Sequence, residues 1–113
     1  MKHLLLASLF AIWSSAALAH SPLKMSTPAD QAILAEEPTE IALTYKGKIR
    51  LTRVRMRHAE GDVDLDLSGL KGFVSDATLP AHSFGAGDYV IEWRGLGSDG
   101  HAMKGSFSFR VKK

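Results

Sequence analysis

Short segments in which apolar and polar residues alternate run through most of this chain, and this pattern constrains the fold more than any other feature. The clearest are residues 39–45, 63–67, 89–93 and 107–111. Alternate side chains of a strand point to opposite faces, so each segment is predicted to be a half-buried strand. Turn residues, mainly glycine and aspartate, separate the segments. The pattern predicts an all-β chain folded as a two-sheet sandwich, with the aromatic segments 89–93 and 107–111 at the centre of its core.

The segment 49–58 changes phase part of the way along. Ile49 and Leu51 share one face, whereas Val54 and Met56 continue the alternation one position later. A slip of one residue in a period-two pattern indicates a β-bulge, which we place near Thr52–Arg53.

Two further local predictions follow from turn chemistry. The run Lys46-Gly47-Lys48 has the composition of a turn between two strands. Residues 28–31 (Pro-Ala-Asp-Gln) also predict a turn or a single helical turn, after which Ile33 and Leu34 are expected to pack inward.

Residues 1–19 have the features of a secretory signal peptide. A basic start precedes an apolar run from Leu4 to Trp13, and Ala17-Leu18-Ala19 forms a cleavage motif. The run is shorter than the roughly 20 apolar residues that a membrane span needs. We expect one domain, residues 20–113, to remain after cleavage and to function outside the cytoplasm without being embedded in the membrane.

Composition excludes several classes of function. The chain has no cysteine, which rules out a disulfide scaffold and a thiolate metal site. Its 14 basic and 12 acidic residues give no case for nucleic-acid binding. A local group of cations is interpreted as the solvated face of a strand rather than a docking patch for an acidic partner. It comprises Lys46, Lys48, Arg50, Arg53, Arg55 and Arg57.

Cleavage after Ala19 would expose a histidine with a free α-amine. His20 would then offer two nitrogens to a metal, the amine and the imidazole Nδ1, in a six-membered chelate ring. An internal histidine cannot do this, because its backbone nitrogen is an amide. The plain alternative is that the residue at this position is arbitrary.

The segment Ser98-Asp99-Gly100-His101 places a carboxylate and an imidazole two residues apart. In an extended segment the two side chains would point the same way, and Gly100 would permit the backbone to turn. The alternative interpretation is an ordinary Asp-Gly turn beside a solvated histidine.

Taken together, His20, Asp99 and His101 supply nitrogen and oxygen donors without sulfur. Such a set suits tetragonal Cu(II), and copper is favoured over zinc by the Irving–Williams order, although zinc can also use these donors. The α-amine must lose its proton to bind, so binding should weaken as pH falls. His58 and His82 are not expected to be ligands.

These residues carry a resemblance to the CopC family of periplasmic copper-binding proteins. It rests on the leader followed by His20, on Ser26–Asp30, and on the C-terminal segments 87–93, 98–101 and 105–111. The resemblance implies a seven-stranded Greek-key β-sandwich with immunoglobulin-like or cupredoxin-like topology. It also implies that His20, Asp99 and His101 bind Cu(II).

The resemblance further implies a periplasmic carrier or buffer of one Cu(II), active in copper homeostasis or resistance and not an enzyme. Its expected partner is an inner-membrane copper transporter of the CopD kind. Members with a second site for Cu(I) have a Met-rich loop, but residues 71–85 contain no methionine here. We therefore expect no dedicated Cu(I) site, and we expect Met25 and Met103 to shield the Cu(II) site.

Two other functions remain open at this point. A copper monooxygenase that attacks polysaccharides also uses an N-terminal histidine, but it needs an open coordination position and a flat aromatic surface. A metal-free sandwich for adhesion or assembly would need no special N-terminus.

Overall fold

A computed structural model describes residues 22–113 of the chain, and these residues form only strands, turns and loops. None of them belongs to a helix long and apolar enough to cross a membrane. The all-β prediction is confirmed. Among the described residues there are seven strands: β1 (Leu23–Thr27), β2 (Ala32–Leu34), β3 (Glu40–His58), β4 (Gly61–Asp64), β5 (Val74–Pro80), β6 (Gly87–Gly97) and β7 (Ala102–Val111).

The 19-residue strand β3 belongs to both layers of the molecule. Its first half lies between β1 and β5, with Leu43 opposite Ala77. Its second half lies between β4 and β6, with Met56 opposite Val63 on one side and Ile91 on the other. β6 then pairs with β7, and β7 with β2. One strand therefore connects the two layers, and their inner faces meet in a single core.

The predicted turn at 46–48 was wrong. Lys46, Gly47 and Lys48 lie within β3 and are exposed in succession, which interrupts the alternation. The pairing of β3 with β5 changes register between Thr44 and Ile49. The chain bends from one layer into the other at this point instead of reversing, and β5 pairs with β3 both before the bend, at Thr44, and after it, at Ile49.

The predicted bulge is confirmed, because the pairing of β3 with β6 shifts between Leu51 and Arg53. The expected core is also confirmed, since Tyr89, Ile91 and Trp93 are at most 1% exposed. A Cβ atom at Gly105, opposite Trp93, would lie 2.6 Å from the indole ring. Glycine at this position lets the largest core side chain lie directly over β7.

The turn before β2 is confirmed, but one of the two core assignments after it was wrong. The amide of Ala32 donates to the carbonyl of Ala29 (3.1 Å), and β2 pairs in parallel with β7. Leu34 packs against the core, whereas Ile33 is 64% exposed. In a strand these adjacent side chains must point to opposite faces.

Candidate metal centre

A tight loop, Ser98–His101, joins β6 to β7 at one end of the molecule. The amide of Gly97 donates to the carbonyl of His101, and the amide of Gly100 donates to that of Gly97, both at 2.9 Å. Gly100 has a φ of +86°, a conformation that side chains other than glycine rarely adopt. The loop therefore needs glycine between its carboxylate and its imidazole.

Asp99 holds His101 through two hydrogen bonds. Its Oδ1 accepts from the backbone amide of His101 at 3.0 Å, and its Oδ2 lies 2.7 Å from the ring Nδ1. The predicted convergence of the two side chains is thus present. The sequence analysis expected an extended segment here. The structure shows instead a turn, in which the Asp99 carboxylate accepts a hydrogen bond from the backbone amide two residues on.

This pairing sets the protonation of both groups. The hydrogen bond from the His101 ring lowers the pKa of the Asp99 carboxyl below its usual value, and the His101 amide adds to the effect. The same ring–carboxylate bond raises the pKa of His101. In the neutral ring, the hydrogen bond to Asp99 favours the tautomer with its proton on Nδ1, which leaves the Nε2 lone pair free to bind a metal. The side chains of His101 and Asp99 are 84% and 68% exposed, so a metal can reach them.

A cavity of about 290 Å³ lies beside the loop, and Asp99, Met103, Tyr45 and Pro22 are among the residues that line it. Pro22 is held there because its carbonyl accepts from the amide of Lys46 at 2.9 Å. The first described residue of the chain and the carboxylate of the C-terminal loop therefore share one cavity. His20, the remaining predicted ligand, lies outside the described residues.

Tyr45 forms part of the wall of this cavity. Its hydroxyl is buried without a hydrogen-bond partner among the described residues, and burial raises its pKa. Its ring meets that of Trp93 edge to face, with 5.1 Å between centroids. The phenol therefore stays neutral near pH 7 and does not offer an anionic ligand. No local pattern in the sequence marks it as a neighbour of Asp99.

The chemistry of the loop fits a nitrogen- and oxygen-seeking metal. Asp99 and His101 supply one carboxylate and one imidazole, a donor combination used by Cu(II) and zinc. Between residues 22 and 113, no three side chains from histidine, aspartate and glutamate converge as a metal site.

The other histidines are placed differently. His58 Nε2 lies 2.7 Å from the carbonyl of Ala86, and its Nδ1 accepts from the amide of Glu60 at 3.0 Å. Both ring nitrogens are thus engaged by the protein. His82 is exposed and its ring packs against Phe84, with 4.4 Å between centroids.

The two methionines expected near the site also differ. Met103 lines the cavity beside Asp99. Met25 is 58% exposed on β1 and is not among the residues that line the cavity.

Much of the cationic cluster on β3 is paired with carboxylates. Arg53 and Arg55 contact Asp64, and Arg57 contacts Asp62 and Glu92, all on exposed surface. These contacts match the interpretation of this part of β3 as a solvated strand face.

Sequence reasoning missed a polar cluster around Glu37. One carboxylate oxygen of Glu37 accepts from the Ser83 hydroxyl and the Gly85 amide, each at 2.7 Å. The hydroxyl of Tyr89 lies 3.2 Å from the same oxygen. No local signal could have found it, because the partners are distant in sequence.

The chain has relatives of known name. It is 32% identical to copper resistance protein C of Pseudomonas syringae pv. tomato, over 88% of this chain and 86% of that protein. It is 26% identical to copper resistance protein C of Escherichia coli, over 85% and 84% of the two chains.

Solved structures show the same fold. CopC from Methylosinus trichosporium OB3b superposes with a TM-score of 0.66 at 24% identity, covering 82% of this chain and 94% of that one. PcoC, a methionine-rich copper resistance protein from Escherichia coli, gives 0.57 at 25% identity, covering 83% and 100%. The predicted β-sandwich of this family is thereby confirmed.

The family model described as the CopC domain matches residues 23–112, which include every described strand and the Asp99–His101 loop. The family resemblance drawn from the sequence is confirmed. The chain belongs to the CopC family.

Proposed function

We propose that this protein is a copper-binding copper resistance protein that carries one Cu(II) at the β6–β7 loop. Its ligands are the α-amine and Nδ1 of His20, the imidazole of His101 and the carboxylate of Asp99. Residues 1–19 are removed as a signal peptide, and the domain 20–113 acts in the periplasm. The observation that carries the proposal is that Pro22 and Asp99 line the same cavity.

The reach of the chain supports this ligand set. His20 lies two positions before Pro22, and consecutive Cα atoms are about 3.8 Å apart, so its Cα lies within about 8 Å of that of Pro22. The loop supplies two donors, and the residues from 22 onward complete no site of three. A new N-terminal histidine would add the two missing nitrogens.

Asp99 has two roles in this arrangement. As found, it orients the His101 ring through Nδ1, which directs the Nε2 lone pair away from the loop. A carboxylate held at Nδ1 lies across the ring from a metal on Nε2, so Asp99 leaves this hydrogen bond when copper binds and then contributes an oxygen donor and negative charge to the divalent cation. The α-amine has an ordinary pKa near 7.7–8.0 and must deprotonate to bind. Proton competition at the amine and at His101 makes copper binding weaker in acid.

The protein is a copper carrier or buffer and not an enzyme in this proposal. The relatives are named as copper resistance proteins. As a ligand, Asp99 of the loop would occupy a coordination position that oxygen chemistry needs open. The family resemblance indicates delivery to an inner-membrane transporter of the CopD kind.

The test is a Cu(II) titration of the protein that begins at His20, with one form extended by a single alanine before His20. One tight equivalent is expected for the first form, with an electron paramagnetic resonance spectrum of nitrogen-rich tetragonal copper. The extended form should bind far more weakly, because its α-amine becomes an amide.

The control is His82→Ala, which removes an exposed histidine outside the site and should leave the titration unchanged. Equal affinity of the extended and unextended forms would contradict the N-terminal chelate.

A further inference from the structure

The outer faces of β3, β6 and β7 form a grid of cross-strand rows. Glu92 lies opposite Arg55 and Ser106, and Arg94 opposite Arg53 and Lys104. The row nearest the Asp99–His101 loop contains Arg50, Leu96 and Ala102.

Away from the loop, the cations of this face are paired. Arg55 contacts Asp64 at 3.5 Å, and Arg57 contacts Glu92 at 3.2 Å. In the last row Arg110 contacts Asp88 at 2.7 Å. This part of the face is electrically compensated.

In the two rows nearest the loop, Arg53 contacts Asp64, but the other three cations have no such partner among the described residues. Within residues 22–113, none of Arg50, Arg94 and Lys104 has a carboxylate within ion-pair distance. Arg94 and Lys104 lie directly opposite one another, and like charges in that position destabilise a sheet. On this face of the described sheet, the uncompensated positive charge is thus concentrated in the two rows beside the loop. We name Arg50, Arg94, Leu96 and Lys104 the loop-side basic patch.

The patch is concave and partly apolar. A groove of about 420 Å³ runs over it, lined by Arg94, Leu96 and Lys104 among others. Leu96 is 37% exposed between the cations. Leu96 and Ala102 are also the last paired residues before the loop, so an occupant of the groove would lie beside Asp99 and His101.

We infer that the loop-side basic patch is the docking surface for an acidic segment of a partner protein. Carboxylates would neutralise the unpaired cations, and an apolar side chain of the segment would cover Leu96. The net charge of the whole chain is only +2, which gives little attraction to an extended anionic surface such as a bilayer or nucleic acid. A local patch in a groove instead matches a short acidic segment.

This inference deepens the proposed function, since docking here would bring the partner against the metal-binding loop. Binding of the acidic segment does not itself require copper. The docking surface and the copper site can therefore fail independently in experiment.

The test uses the protein that begins at His20, copper-free and with one equivalent of Cu(II), and a capped deca-glutamate peptide as the probe. Addition of the peptide should shift the backbone amide NMR signals of Arg50, Arg94, Leu96 and Lys104. These peptide-induced changes should become smaller as salt is added. The double variant Arg94→Glu/Lys104→Glu should weaken peptide binding by at least about tenfold. Its amide spectrum in the absence of peptide reports that it is folded.

The matched control is Lys71→Glu/Lys112→Glu, which changes net charge equally at exposed positions off the patch. It should retain peptide binding within about twofold. Equal weakening of both double variants would overturn the inference, because only net charge would then matter. Binding to phosphatidylglycerol vesicles but not to the peptide would overturn it in favour of a lipid surface, and binding to neither would overturn it outright.

Discussion

The two ends of β6 each place a histidine near a carboxylate, yet only one end is available to a metal. At the loop end, His101 touches Asp99 through Nδ1 and its side chain is 84% exposed. At the start of β6, His58 is engaged through both nitrogens and stacks on Phe84 at 5.4 Å between centroids. We name Glu37, His58, Phe84 and Tyr89 the far cluster.

The carboxylates differ in the same way. Glu37 in the far cluster accepts hydrogen bonds from Ser83 and Gly85 on a neighbouring loop, so it ties distant parts of the chain together. Among the residues from 22 onward, the hydrogen-bond partners of the Asp99 side chain are the backbone and ring of His101, within the same loop. A histidine is thus a candidate ligand when the fold leaves one ring nitrogen free, as in His101, and a structural residue when both are engaged, as in His58.

Substitution of each histidine in turn tests the difference between the two ends of β6, and it has the largest expected effect. His101→Ala should lower Cu(II) affinity by at least about 100-fold, since it deletes a nitrogen ligand, a larger loss than that of a supporting group. His58→Ala should leave affinity nearly unchanged. Competition titration with a chelator measures both. A comparable loss in the two variants would show that the far cluster takes part in binding.

Asp99→Asn removes the carboxylate, both as a proposed ligand and as the partner of the His101 ring, while the ring itself stays in place. We expect a loss of about 10- to 100-fold in Cu(II) affinity. In the copper-free protein, the pKa of His101 should fall toward its ordinary value of 6.5, because the carboxylate that raises it is gone. NMR titration of the imidazole measures this shift.

The matched control for that variant is Asp66→Asn. Asp66 is also exposed and accepts from an amide two residues on, that of Ser68 at 2.9 Å, but it faces no histidine. A His101 pKa that moves equally in both variants would contradict the assigned pairing.

Substitution of His58 in the far cluster is expected to reduce the stability of the fold. His58→Ala removes two hydrogen bonds and the stacking with Phe84, and should lower the free energy of unfolding by about 1–3 kcal/mol. Denaturant unfolding of the copper-free protein measures it. His82→Ala is the control, since that exposed ring contacts Phe84 without holding the backbone. Equal stability of both variants would refute the structural role of His58.

The smallest expected effect is on how the stability of the protein changes at acidic pH. Hydrogen bonds from Ser83 and Gly85 lower the pKa of Glu37 from 4.5. A carboxyl with a depressed folded-state pKa contributes stability above its unfolded pKa, and that contribution is lost as pH falls through the folded value. Glu37→Gln should therefore flatten the loss of stability below pH 4.5, as followed by acid-induced unfolding. Glu40→Gln, on an exposed position of β3, is the control, and an unchanged acid profile in Glu37→Gln would contradict the assignment.

Several features of the fold could be predicted from the sequence because they follow from local geometry. Alternate side chains of a strand point to opposite faces, so the pattern of apolar residues predicted the core residues of β6 and β7 and the bulge after Leu51. The proximity of Asp99 and His101 was predictable for the same reason, although the turn that produces it was not. The segment 46–48 was predicted to be a turn, but it is a bend within β3. Exposed small and charged residues occur both in turns and where a strand passes from one layer to the other, so the sequence could not distinguish the two.

The sequence by itself determined which residues alternate, where the alternation slips, and that one loop carries a carboxylate and an imidazole side by side. Tertiary packing set three other features: Pro22 and Asp99 line one cavity, both ring nitrogens of His58 are engaged by backbone groups, and Arg94 and Lys104 have no carboxylate partner among residues 22–113. The reason is the distance along the chain over which each effect acts. Strand periodicity and turn chemistry act over a few residues, whereas neighbours across a sheet or between layers are chosen by the packing of the whole core.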